Sequence, residues 1–199
     1  DEIALPRAYG GALRQSALLA AECEAAFSRE DFIRAAERAN AALESVSRIS
    51  DHNVKLLDGY FANIKKWRGW AKEAIAFSDS TGHEVIIVDK LAHLCQVYVG
   101  GVLRTEYTVE LGPRWMGQKY SQGDHATPEG RYFITKKKAD DQTRYYKALE
   151  INYPNEEDRA RFVMAQQSGK IPANAGPGGS IEIHGDGGKG ADWTAGCVA

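Results

Sequence analysis

The sequence has little of what several specialised protein classes require. Its 199 residues contain only three cysteines, Cys23, Cys95 and Cys197, and no two of them form a Cys-x-x-Cys pair. This spacing argues against a structural zinc site and against a disulfide-rich miniprotein. No apolar run reaches the roughly eighteen residues that a membrane-spanning helix needs. We therefore expect no transmembrane segment in this chain.

An excess of positive charge is also missing. The chain carries 25 Lys and Arg against 27 Asp and Glu, for a formal net charge of −2. A nucleic-acid binder needs a basic surface to neutralise phosphates, and docking on an anionic membrane needs a basic patch as well. We therefore expect no nucleic-acid partner. The apolar share of 43% is typical of a globular protein.

The two halves of the chain differ in composition. Residues 1–77 contain 17 Ala and 4 Gly, whereas residues 100–199 contain 15 of the 20 Gly. Alanine-rich sequence with few breakers favours helices, and glycine-rich sequence with β-branched runs favours strands and loops. We predict an α+β fold, with an N-terminal α-helical bundle in residues 1–80 and a mostly antiparallel β-domain in residues 84–199.

Three helices are predicted in the first region from apolar residues that repeat every three to four positions. We expect this bundle to dock on the second half, and its apolar stripes identify no protein partner. The predicted helices cover residues 11–27, a segment capped by Ser28, and residues 51–77 with a break near Gly59 or Gly69.

The second region reads as strands joined by turns. Gly100-Gly101 is a hairpin signal between two β-branched runs. Asn155 and the acidic residues after it predict a helix that stops at Gly169, inside a long insertion that could form a lid. The predicted strands cover residues 85–88, 94–99, 102–109, 131–135, 146–151 and 181–183.

The last predicted strand is followed by the most informative segment for chemistry. His184 ends this strand, a glycine-rich loop follows, and Cys197 comes directly after Gly196. A cysteine nucleophile needs a base within reach and backbone N–H groups for an oxyanion, and this arrangement could supply both. From the pattern alone, an inert buried cysteine and a structural histidine remain open. The glycines match no phosphate-binding motif.

This segment resembles the active-site motif of the YkuD-type L,D-transpeptidases, in which a His is followed by Ser/Thr-x-Gly-Cys. Here the motif reads His184 and Thr194-Ala195-Gly196-Cys197. Residues 85–109 resemble the opening hairpin of that domain, and residues 126–133 resemble its Thr-Pro-x-Gly-x-Phe segment. The resemblance covers about residues 84–199. Two positions depart from many members: Ala195 stands where they have His, and Ala199 where they have Arg or Asn.

The resemblance implies a cysteine-dependent L,D-transpeptidase that acts on peptidoglycan stem peptides through a Cys197 thioester. His184 would serve as base, a carbonyl near Gly185 would orient it, and N–H groups near Gly196 would hold the oxyanion. No metal or organic cofactor is implied, and carbapenems are candidate inhibitors. Such a substrate implies the periplasm or cell envelope, with a signal or anchor not present in this sequence. We also expect the catalytic domain to continue beyond Ala199.

Further residues are weaker candidates for substrate binding, and three alternatives to transpeptidation stay open. Water instead of an amine acceptor would give an L,D-carboxypeptidase or a hydrolase of cross-links or of protein–peptidoglycan links. A catalytically silent wall-binding module is the third alternative. Cys23 and Cys95 are expected to be buried thiols. The candidate substrate-binding residues are Thr194, Trp193, Asp192, His125 and Trp115.

Overall fold

The protein combines long helices with two small antiparallel sheets, which confirms the predicted α+β class. The computed structural model describes residues 7–199, so the first six residues of the predicted helical region lie outside the described residues. The chain divides into two compact units, with the boundary between Asn63 and Ile64. No helix among residues 7–199 is both long and apolar enough to cross a bilayer.

The first unit is a helical hairpin. Helices α1 (Arg7–Phe27) and α2 (Phe32–Phe61) pack against each other. The N-cap of α2 is Asp31, whose carboxylate accepts a hydrogen bond from the backbone of Arg34 at 3.2 Å. The prediction of Ser28 as the cap is wrong, because its hydroxyl donates back to α1.

The third predicted helix, over residues 51–77, does not exist as one element. Helix α2 runs through its predicted start, and α3 (Ile64–Thr81) begins after a short turn. The break at Ala62 and Asn63 lies close to the predicted position near Gly59, whereas Gly69 lies inside α3, where a single glycine costs only about 1 kcal/mol. The first unit therefore holds two helices, and α3 contacts strands of the second unit instead.

The first sheet has the order β1-β2-β3 and is antiparallel throughout. The predicted hairpin turn is confirmed at Gly100 and Gly101, which both have positive φ, as a tight two-residue turn requires. Helix α3 packs on β1 and β2. The strands are β1 (Glu84–Asp89), β2 (Leu94–Val99) and β3 (Val102–Thr108).

The second sheet has the order β4-β5-β6 and is also antiparallel. Its first strand starts later than predicted, because the backbone of Phe133 bonds to the Asn152 side chain instead of entering the ladder. The predicted helix after Asn155 is confirmed as α4 (Glu156–Gln167), which begins with a capping box. The strands are β4 (Ile134–Ala139), β5 (Lys147–Ile151) and β6 (Glu182–His184).

The last residues of the chain connect the two sheets. Ala199 exchanges two backbone hydrogen bonds with Glu110, at 2.8 and 2.9 Å, just beyond β3. On its other side, Val198 forms a parallel bridge with Ile183 of β6. The Val198 side chain lies in the hydrophobic core with Leu111, which is completely buried. The segment that follows Cys197 is therefore held from both sides.

The contact between α3 and the first sheet predicts a measurable loss when Ser78 is changed to Ala. The fully buried Ser78 hydroxyl donates to the carbonyl of His83 at 2.7 Å and accepts from the Gly101 amide at 3.2 Å. Ser78→Ala leaves both groups unpaired, so we expect the free energy of unfolding to fall by about 1–3 kcal/mol. All four tryptophans lie in residues 64–199, so urea unfolding followed by their fluorescence measures this unit.

The matched control is Ser80→Ala. The exposed Ser80 hydroxyl bonds only to a carbonyl of its own helix, and its loss should change stability by less than about 0.5 kcal/mol. Equal effects of the two substitutions would contradict the prediction.

Candidate active site

Parallel pairing at the end of β6 brings His184 and Cys197 onto neighbouring segments. The backbone N–H of His184 donates to the carbonyl of Val198 at 2.8 Å, and the N–H of Val198 donates to Glu182 at 2.9 Å. The residue before Val198 is thereby placed beside the end of β6. The bridge pairs Ile183 with Val198, so each of the two residues that the sequence motif singles out is next in sequence to a bridged residue.

The imidazole of His184 has one bonded and one unbonded nitrogen. Its Nδ1 lies 2.6 Å from the carbonyl oxygen of Gly185. Since a carbonyl can only accept, Nδ1 carries the proton, and Nε2 of the neutral ring keeps a free lone pair. Within residues 7–199, the buried Nε2 atom has no hydrogen-bond partner. An unpaired buried acceptor of this kind is a candidate general base.

Two aromatic residues hold the ring of His184. Tyr145 stacks on it with a centroid distance of 3.5 Å and an interplanar angle of 2°, and Trp193 meets it edge-on at 6.1 Å. Tyr145 lies two residues before the start of β5, and the pairing of Ala148 with His184 brings it to the site. The sequence analysis missed Tyr145, because no local motif marks it.

The thiol of Cys197 bonds to the backbone just before β6 and not to His184. Its Sγ–H donates to the carbonyl of Ser180 at 3.8 Å, and Ser180 adopts a positive φ of 53°. The amide of Gly196 already donates to the hydroxyl of Thr194 at 3.2 Å. In the described part of the chain, the amide of Cys197 donates no hydrogen bond. Of these two amides, that of Cys197 is the one available to a bound group.

Burial sets the ionisation of both candidate residues. Desolvation raises the pKa of Cys197 above its usual 9.0 and lowers the pKa of His184 below its usual 6.5. Smaller electrostatic effects act in both directions, since the negative charge of Glu182 raises both pKa values and the positive charge of Arg144 lowers both. At neutral pH the pair therefore rests as an uncharged thiol and an uncharged imidazole.

Thr194 and Gly196 shape the turn that carries Cys197. The Thr194 hydroxyl, on a side chain that is only 2% exposed, donates to the carbonyl of Cys197 at 2.7 Å and accepts from Gly196. Gly196 has a φ of 133°, and a Cβ there would lie 2.7 Å from the carbonyl oxygen of Ala126. Thr194 therefore supports the turn instead of facing solvent, and only glycine fits position 196.

Carboxylates fix the loop in front of this turn. Glu110 accepts hydrogen bonds from the Trp193 indole at 2.7 Å and from the Gly190 amide at 2.6 Å. Asp192 accepts from the amide of Leu111 at 2.7 Å and lies 3.0 Å from Nε2 of His93. These bonds hold Trp193 against the ring of His184 and tie Asp192 to the backbone of Leu111.

The other two predicted residues lie in different settings. The ring of Trp115 packs edge-on against His93 at 5.2 Å and against the hydrophobic core. His125 is exposed, its ring makes no hydrogen bond within residues 7–199, and its backbone carbonyl accepts from Arg114. Neither placement gives a direct contribution to the chemistry of Cys197.

A buried ion pair lies behind the turn of Cys197. The Lys119 ammonium is 2.7 Å from a carboxylate oxygen of Asp124 and also donates to Ser121. Burial opposes ionisation of Asp124, but the hydrogen bonds from Lys119 and three backbone amides outweigh it and hold the Asp124 pKa below its usual range. Among residues 7–199, no group of three or more His, Cys, Asp or Glu could bind a metal ion.

Comparison with known proteins identifies the second part of the chain. The family model of the YkuD L,D-transpeptidase catalytic domain matches residues 83–199. Two Escherichia coli proteins, from strain K12 and from O157:H7, are each 44% identical over 45 residues. Both carry the name "Putative L,D-transpeptidase YafK". The matched segment is 23% of this chain and 18% of each E. coli protein, so it spans less than a fifth of those relatives.

The role of Thr194 predicts a difference between two small substitutions. Thr194→Val keeps the shape but leaves the Gly196 amide and the Cys197 carbonyl unpaired, so unfolding should become easier by about 1–3 kcal/mol. Thr194→Ser keeps the hydroxyl and should recover most of that loss. Urea unfolding followed by tryptophan fluorescence measures both. Equal losses in Val and Ser would show that the methyl group, not the hydroxyl, supports the turn.

The uncharged resting pair predicts the pH dependence of thiol alkylation. Iodoacetamide reacts with the thiolate, whose pKa is raised, so the rate at Cys197 should stay low at pH 7 and rise only above about pH 9. A small free thiol, with a pKa of about 8.5, is the reference and should react faster at pH 7.5. Site-resolved mass spectrometry separates Cys197 from Cys23. An inflection between pH 5 and 7 would instead reveal a thiolate–imidazolium pair.

Proposed function

Because the chain belongs to the family of YkuD L,D-transpeptidase catalytic domains, we propose that it is a cysteine-dependent L,D-transpeptidase acting on peptidoglycan stem peptides. We assign catalysis to residues 84–199, with Cys197 as nucleophile and His184 as base. The observation that carries this proposal is the buried, unpartnered Nε2 of His184, whose proton state is set by Gly185. Peptidoglycan lies outside the cytoplasmic membrane, so the proposed location is the periplasm or cell envelope.

In the first half-reaction, Sγ of Cys197 attacks the carbonyl of the diamino acid at the third position of the stem. The thiol turns from the Ser180 carbonyl, and its proton passes to Nε2 of His184 as the S–C bond forms. The C–N bond to D-alanine then breaks, and the same proton leaves with the amine. The carbonyl of Gly185 stabilises the transient imidazolium through Nδ1–H.

The oxyanion needs hydrogen-bond donors that no other group uses. The amide of Cys197 meets this condition, since it donates no bond within residues 7–199. The Gly196 amide does not meet it while Thr194 accepts its hydrogen. We therefore assign the main oxyanion contact to Cys197 itself. One donor of this kind is worth about 10²–10³ in rate in other acyl-transfer enzymes.

In the second half-reaction, an amine of a neighbouring stem attacks the thioester, and His184 accepts its proton. A peptide bond forms, the S–C bond breaks, and the thiol regains a proton. If water attacks instead, the same site is an L,D-carboxypeptidase or a hydrolase of cross-links or protein–peptidoglycan links. The acyl-enzyme is common to all these outcomes.

A carbapenem tests for the acyl-enzyme directly. Brief incubation should add one drug mass to the protein, and Cys197→Ala should abolish the adduct. His184→Asn should slow its formation by about 10²–10⁴, the usual contribution of general base catalysis. Intact mass spectrometry measures all three, and Cys23→Ala is the matched control that should keep the adduct.

Products from isolated wall fragments then separate the outcomes. A new cross-link supports transpeptidation, whereas released D-alanine or freed stems without cross-links support hydrolysis. A folded protein that forms no adduct and no product, yet binds peptidoglycan, would contradict the proposal and favour a silent wall-binding module.

A further inference from the structure

A positively charged side chain is attached to the ring that covers His184. The Arg144 guanidinium donates to the Tyr145 hydroxyl at 2.8 Å, and its central carbon lies 5.0 Å from the centroid of the same ring. Tyr145 in turn stacks on His184. Arg144 belongs to the connection between β4 and β5 and is exposed to solvent. Its head group is therefore both accessible and positioned relative to the catalytic imidazole.

The positive charge of Arg144 affects the ionisation of Cys197 and His184. It favours the ionised form of Cys197 and opposes protonation of His184, and the negative charge of Glu182 acts in the opposite direction on both. Two lysines near the site are already paired, since Lys119 contacts Asp124 and Lys138 contacts two glutamates. Within residues 7–199, no carboxylate lies within ion-pair distance of Arg144.

A guanidinium in this state has unused binding capacity. It carries five N–H donors in a planar fork, and the contact to Tyr145 uses one nitrogen. The geometry of the fork matches a carboxylate, which it can bind through two parallel hydrogen bonds. The Tyr145 contact reduces the freedom of the arginine side chain, so less entropy is lost when an anion binds.

We propose that Arg144 binds a carboxylate of the substrate and thereby selects peptides with a free carboxylate next to the bond that Cys197 attacks. The identity of the peptide as a stem rests on the proposed function, but the carboxylate contact does not. Two sources have this chemistry: the terminal carboxylate of the leaving D-alanine, and a carboxylate on the diamino acid itself. Tyr145 is the positioning residue that keeps the guanidinium at the site.

Two alkylating reagents test the contact without any assumption about transpeptidation. Iodoacetate and iodoacetamide react at the same sulfur, but only iodoacetate carries a carboxylate. Arg144→Gln should lower the iodoacetate to iodoacetamide rate ratio at Cys197 by about 2–5-fold, as expected for an exposed charge pair. A change that acts only through the Cys197 pKa moves both rates equally and leaves the ratio constant. Site-resolved mass spectrometry of the full chain at pH 9 gives both rates.

Controls separate binding from a general loss of charge. Arg104→Gln removes one exposed charge from β3 and should leave the ratio unchanged. Tyr145→Phe keeps the stacked ring but removes the hydroxyl that holds Arg144, so the ratio should fall partway. The wild-type ratio should also decline as salt is raised, because salt screens exposed charges. An unchanged ratio in Arg144→Gln, or an equal fall in Arg104→Gln, would overturn the proposal.

Peptide substrates identify the carboxylate. Arg144→Gln should raise the KM for a stem tetrapeptide by roughly ten-fold, in line with a charge-assisted hydrogen bond. If the terminal carboxylate is bound, the C-terminal amide should be a poor substrate of the wild type and insensitive to the substitution. If the diamino acid carboxylate is bound, the peptide with an amide at that carboxylate should instead be the poor substrate that Arg144→Gln does not affect. Equal losses for the acid and both amides would exclude carboxylate recognition.

The two levels of the experiment fail in different ways. A wild-type protein that turns over no peptide, but whose alkylation ratio depends on Arg144, would contradict the proposed function and retain the anion site. Normal peptide turnover, with an alkylation ratio that Arg144→Gln leaves unchanged, would support the proposed function and contradict the anion site.

Discussion

The site depends on one backbone constraint, the position of Val198 and Ala199 between β6 and the segment after β3. Two hydrogen bonds to Glu110 on one side and two to β6 on the other fix this short segment. The buried Val198 side chain adds a hydrophobic anchor in the core. Cys197 immediately precedes this anchor, so the pairing constrains its position relative to β6.

Desolvation determines the protonation states of His184 and Cys197 before substrate binds. The stacked ring of Tyr145 and the edge of Trp193 cover His184, and burial keeps both the imidazole and the thiol uncharged. An uncharged thiol is a poor nucleophile until a base takes its proton. Under the proposed mechanism, the proton transfer therefore coincides with attack on the substrate. The same packing that lowers the basicity of His184 protects the site from unproductive reactions with solutes.

The segment at residues 126–133 is held in place by a buried lysine. The Lys90 ammonium, almost completely buried, donates to the carbonyls of Gly117 and Thr127 and to the carboxylate of Glu129. Burial lowers the pKa of Lys90, and the contact with Glu129 opposes this effect. The Thr-Pro segment that resembles a family motif is thus tied down by a cation from the turn after β1. The contacts of this segment are structural, and the proposed chemistry is assigned to Cys197 and His184.

Stretches with a regular local pattern were predictable. The strands on either side of Gly100-Gly101 are rich in β-branched residues, and their hairpin lies where the sequence predicts it. Helix α4 begins with a complete capping box and also lies where it is predicted. Prediction was less successful where two local signals competed. Ser28 and Asp31 are both acceptable caps, and the packing of α1 on α2 selects Asp31.

By itself, the sequence determined the α+β class, the order of most elements and the two residues to which chemistry can be assigned, His184 and Cys197. These features depend on composition, periodicity and short motifs, which are local along the chain. Only the tertiary structure decided that Tyr145 and Arg144 lie at the site and that α3 packs on the first sheet. Such placements depend on pairing between distant segments, whose partners no local pattern specifies.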